Sequence, residues 1–76
     1  MEARIEVKPD VHFGKPCVAG TRICVIDVLE LVRDGVPFER ITKEFYPDLS
    51  VADVQACIQY AIDVLGVEDL HVATSA

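Results

Sequence analysis

Gly14-Lys15-Pro16-Cys17-Val18-Ala19-Gly20-Thr21-Arg22-Ile23 places two glycines, one proline and two basic residues within ten positions, directly ahead of an apolar segment. Glycine accepts positive φ, and proline holds φ at about −65°. Such a run predicts a shaped loop or tight hairpin that feeds a strand or helix, not a floppy linker. No other stretch concentrates comparable chemistry. This loop and the helix pair behind it are therefore where function is to be sought.

On the N-terminal side, Arg4-Ile5-Glu6-Val7-Lys8 alternates polar and apolar residues as a half-buried strand does, and Pro9-Asp10 ends it. Thr21-Arg22-Ile23-Cys24-Val25 alternates too and is expected to pair with it as a ribbon. Two short strands are marginal alone, so they need helices or a second chain to pack on.

On the C-terminal side, Val25, Val28, Leu29 and Val32 share one helical face, and Gly35 stands where a left-handed residue ends a helix. A second helix is expected from Pro37 or Phe38, with Phe38, Ile41 and Phe45 on its inner side, stopping before Pro47. Ser50 and Asp53 form a capping-box-like start for a third. Its predicted inner stripe is Val51, Val54, Ile58, Ala61, Ile62 and Leu65, with Cys57 beside it and Gly66 as the stop. The fold class read from this pattern is mainly α: a three-helix bundle of helix-turn-helix type behind a short N-terminal β-ribbon. One domain spans residues 1–76, with ribbon and loop over 3–25, helices over 26–65 and a tail over 67–76 whose Leu70 and Val72 dock or fray.

A chain of 76 residues is one small domain that buries only about 60% of its unfolded surface. Cys17, Cys24 and Cys57 are an odd number without Cys-x-x-Cys spacing, which argues against a disulfide framework. No apolar leader or bilayer-length run is visible, so a reduced, cytoplasmic protein without membrane contact is expected. A hydrophobic content of 51% without a membrane segment predicts a homodimer. Residues 1–24 carry four cations against three acids, whereas residues 25–76 carry three against ten, for a net charge of −6. That balance disfavours bulk electrostatic binding of nucleic acid and suits either a basic protein partner or plain solubility.

Residues 38–65 have the layout in which a third helix enters a DNA groove. Only Gln55 and Gln59 on its outer face, beside Ala52, Asp53 and Ala56, could read a base, and no Lys or Arg follows Asp48. Nucleic-acid contact is expected to be weak. Cys17 and Cys24 are too far apart for a zinc knuckle, so neither a metal nor a cofactor is expected. His12 and Cys17 could meet across the loop, but no spacing implies an orienting acid, and no catalytic residue is assigned. The glycine loop lacks Walker-type spacing. Lys15 and Arg22 remain able to hold an anion. For Arg22 the alternative is an internal strut to carbonyls or a helix carboxylate.

Gly14-Lys15-Pro16, Gly20-Thr21-Arg22-Ile23, a helix ending in Gly35, Tyr46-Pro47-x-Leu49 and Gln59-Tyr60-Ala61 together resemble the domain of unknown function 433 family over roughly residues 5–64. Cys24 departs from it, standing where proline or another small residue is usual. The resemblance implies a homeodomain-like three-helix fold and an antitoxin role beside a PIN-like ribonuclease. The expected function is therefore a non-enzymatic antitoxin that restrains such a nuclease by occlusion, with Gly14, Lys15, Pro16, Gly20, Thr21 and Arg22 as the signature loop. The alternatives are a DNA-binding regulator of helix-turn-helix type that uses the β-ribbon or N-terminal arm, where the basic residues sit, with Gln55 and Gln59 as candidate contacts, and a structural interaction module.

Overall fold

The computed structural model describes residues 3–67, and the expected tail beyond Val67 lies outside them. Strand β1 (Ile5–Glu6) pairs antiparallel with β2 (Cys17–Val18), Ile5 opposite Val18 and Glu6 opposite Cys17. Helix α1 (Val25–Arg33) follows. Helix α2 (Phe38–Arg40) continues as one wide π turn over Ile41–Phe45. Helix α3 (Val51–Val67) packs against α1, α2 and β1. The chain is thus mainly helical behind a two-stranded ribbon.

The second strand is not the expected one. Gly20, at φ 79°, turns the chain back immediately after Val18. The Thr21 hydroxyl donates to the Val18 carbonyl at 2.8 Å and accepts the Ile23 N–H at 3.0 Å. Thr21–Ile23 is therefore the return leg of a tight turn, and β1 pairs with the residues before that turn. From the predicted strand, only Cys24 makes a bridge, to Cys17.

Helix α1 ends as its sequence dictates. Gly35 has φ 80°, its N–H donates to Val32, and the Val36 N–H reaches back to Leu31 at 3.1 Å. This pair of bonds satisfies the last carbonyls of the helix. The π turn of α2 arises next to Pro47, where the chain must leave the helix. The Tyr46 N–H donates to the Ile41 carbonyl at 2.7 Å, five residues back. The wide turn keeps Ile41 buried and swings Phe45 outward, where it is 42% exposed instead of facing the core. There the Arg40 guanidinium lies 5.8 Å from its ring centre.

Ile5 and Val18 from the ribbon, Val25 and Val28 from α1, Ile41, Leu49 and the Val54–Cys57 turn of α3 form one core. Ala56, expected outside, is buried, because the first half of α3 is covered on more than one side. The second half is not: Ile62 and Leu65 are mostly exposed, and Val51 at the start is partly so. The helix also runs through Gly66, which keeps a negative φ and does not stop it.

The start of α3 is reciprocally capped. Asp53 accepts the Ser50 N–H at 2.9 Å and its hydroxyl at 3.1 Å, while the Asp53 N–H donates to the Ser50 hydroxyl at 3.2 Å. Arg4 donates to the same carboxylate at 3.1 Å and ties the ribbon to the helix. Burial pushes the Asp53 carboxyl up, but the Ser50 and Arg4 hydrogen bonds outweigh it and hold the group below its ordinary value. A carboxyl depressed in the native state leaves the unfolded chain binding more protons, so its contribution is present above the ordinary carboxylate range and is lost as pH falls through it. Asp53→Ala should lower stability at pH 7 by about 1 kcal/mol. Melting curves for both proteins from pH 7 to pH 3 should show the difference closing below pH ~4; a constant difference would place the loss elsewhere.

Candidate functional site

The signature loop divides into residues that shape it and residues that project from it. Gly14 has φ 79° and follows two non-glycine residues that are also left-handed, His12 at φ 50° and Phe13 at φ 57°. That backbone costs about 1–3 kcal/mol for each non-glycine residue and persists only where its surroundings enforce it. The Gly14 N–H donates to Val11 and the Lys15 N–H to His12, closing the turn. Phe13 is thrown outward, fully exposed, while His12 is folded inward. The Pro16 carbonyl accepts the Val25 N–H at 2.9 Å. Gly14, Pro16, Gly20 and Thr21 are thus geometric.

Lys15 and Arg22 are exposed, and neither makes an ion pair or side-chain hydrogen bond with any described residue. Together with Lys8, Glu6 and Val11 they line a cleft of about 340 Å³. Lys8 stands 3.4 Å from Glu6, so the cleft's uncompensated charge belongs to Lys15 and Arg22. The internal-strut alternative for Arg22 has no partner among the described residues. Arg22→Ala should change the stability of the isolated protein by less than ~0.5 kcal/mol in a denaturant titration. A larger loss would restore the strut.

A second concavity, about 510 Å³ and almost wholly apolar, lies between α1 and the free half of α3. Val25, Ile26 and Leu29 form one wall, and Tyr60, Ala61, Val64 and Leu65 form the other. Lys15 and Pro16 border it, so the loop is the seam between a cationic cleft and an apolar groove. Ile26 is 52% and Leu65 66% exposed.

The outer face of α3 carries Gln55 and Gln59 in solvent, as predicted, but the Gln59 amide donates to Asp63 at 2.8 Å. Asp53 is not a free acid, because Arg4 neutralises it.

The three cysteines fall into two classes. Cys57 is fully enclosed in the core, and burial, with the nearby Asp53 charge, pushes its thiol up to about 11. A thiol so raised is inert. Cys17 and Cys24 face each other across the hairpin, sulfurs 3.7 Å apart, and the Cys17 thiol donates to the Lys15 carbonyl at 3.4 Å. Burial, reinforced by the Cys24 hydrogen bond, raises the Cys17 thiol. His12 joins them: its ligating atom and the two sulfurs all lie within 4.8 Å of one another. Sequence spacing argued against this grouping, because seven positions separate the cysteines along the chain; the turn at Gly20 removes that distance. Iodoacetamide should leave Cys57 unmodified in the native protein and label it after denaturation, as read by peptide mass. Native labelling would show that the core opens.

Residues 5–61 match the family described as Protein of unknown function (DUF433). No curated protein and no solved structure matches the chain.

Proposed function

We propose that this chain, which belongs to the DUF433 family, is an antitoxin-type protein that binds and restrains a PIN-like ribonuclease. The observation that carries the reading is the pair of cations, Lys15 and Arg22, that have no ion-pair partner among the described residues and line one cleft on a loop whose Lys15 also borders an apolar groove. A nuclease of that class acts through carboxylates around a metal. A guanidinium entering such a carboxylate cluster competes with the metal and forms strong bidentate hydrogen bonds. The acidic helical half of the chain meanwhile suits the basic surface on which RNA lies.

The apolar groove is assigned to a second copy of the chain. A twofold interface must complement itself. An apolar surface does so, whereas two copies of a cationic cleft would repel. The two contacts meet at Lys15, which borders both concavities, but Arg22 lines only the cleft and Leu65 only the groove, so substitutions at these two residues separate them. Leu65→Glu should convert the dimer to a monomer by light scattering.

Arg22→Ala should keep the dimer but weaken binding to the nuclease-like product of a neighbouring reading frame by about 2–5 kcal/mol. Inhibition of RNA cleavage by that product is the direct readout. Cleavage that proceeds unchanged with excess wild-type protein would sink the proposal.

A DNA-binding role is the second reading, favoured by the exposed Gln55 and by the exposed cations of the ribbon and its loop, Lys15 and Arg22. Without a described cation on α3, gel shifts near physiological salt should show no strong sequence-independent binding.

A further inference from the structure

The buried end of the loop carries chemistry that nuclease binding does not use. His12 Nε2 is enclosed and has no hydrogen-bond partner among the described residues. A buried polar atom without a partner is rare and calls for an explanation. The imidazole is held there by a left-handed backbone at His12 and Phe13, a conformation uncommon outside glycine. It faces two sulfurs that the hairpin bridge brings together. We propose that His12, Cys17 and Cys24 form a binding site for a thiophilic d10 cation, with Zn²⁺ as its representative.

The spacing of the sulfurs already suits a metal. Two thiolates on one tetrahedral zinc, each at about 2.3 Å, stand about 3.8 Å apart. The sulfurs here are separated by 3.7 Å. A disulfide would need them to close to about 2.05 Å and would leave His12 without a purpose. Charge agrees as well. Zn²⁺ with two thiolates and a neutral imidazole is neutral overall, which is the condition for placing ions in a buried site. On binding, each S–H bond is replaced by an S–Zn bond, and the two protons pass to solvent. Three protein ligands leave a fourth position for water or for a donor from a partner.

The test uses the full chain, reduced and freed of metal. Titration with Co²⁺ should saturate at one ion per chain with thiolate-to-cobalt absorption in the near ultraviolet, and Zn²⁺ should displace it. Zn²⁺ at a hundredfold excess over Kd should raise Tm by roughly 10–20 °C. Cys24→Ser and His12→Gln should each lose both effects, whereas Cys57→Ser should keep them. X-ray absorption on the zinc-loaded wild type should count two sulfurs and one imidazole, so the ligand set is read even where a variant fails to fold. Saturable binding without sulfur ligands, or undiminished binding by folded Cys24→Ser, would overturn the assignment. So would a reduced protein that takes up no metal and forms a Cys17–Cys24 disulfide on mild oxidation. None of these results depends on the nuclease reading.

Discussion

The hydrogen bond from the Val25 N–H to the Pro16 carbonyl, at 2.9 Å, joins the two halves of this small protein. It stands at the open end of a hairpin whose other hydrogen bond runs from the Val18 N–H to the Ile23 carbonyl, with Cys17 and Cys24 opposite each other between the two. At the closed end, Gly20 and the Thr21 hydroxyl set the turn. Because Val25 is also the first residue of α1, the hairpin fixes where that helix begins and how it meets the ribbon. Ile5 and Val18 then cap the helical core, and Arg4 crosses to the start of α3. Two-residue strands have little stability of their own. Here they persist because every rung is continuous with a helix or with the core.

Helices were legible in the sequence where two independent signals coincided. For α1, the apolar spacing and Gly35 agreed, and for the start of α3, Ser50 and Asp53 agreed with Val54. The inner faces were less legible, because spacing alone does not say how far a neighbouring element reaches. Ala56 is buried because β1 and the other helices pack on α3, while Ile62 and Leu65 have the right period but stay mostly exposed, Leu65 on the open groove where α1 stands too far off to cover it. The second strand was missed for a related reason. Thr21 and Ile23 are β-branched, but their backbone is committed to a turn that Gly20 sets.

The same turn explains why part of the candidate site was hidden. Gly14, Lys15, Pro16, Gly20, Thr21 and Arg22 stood out by residue type, and the fold separates them into supports and two projecting cations. The grouping of His12 with Cys17 and Cys24 depends on a chain reversal and a left-handed backbone at His12, neither of which residue spacing encodes. Asp53 is a parallel case: it reads as a surface acid but serves as a capping group and a tie to Arg4.

The π turn over Ile41–Phe45 carries a consequence for how chains of this fold vary in length. Its ring closes over five residues, from Tyr46 back to Ile41, where an ordinary helix closes over four. It therefore holds one residue more than a regular helical turn would. A relative lacking that residue could close the turn as regular helix while keeping both flanks in place. The surplus is stored on the outer side, at the exposed Phe45, away from the core, the groove and the thiols. A one-residue deletion here would therefore be absorbed with less disturbance to α1, α3 and the hairpin than one inside those elements.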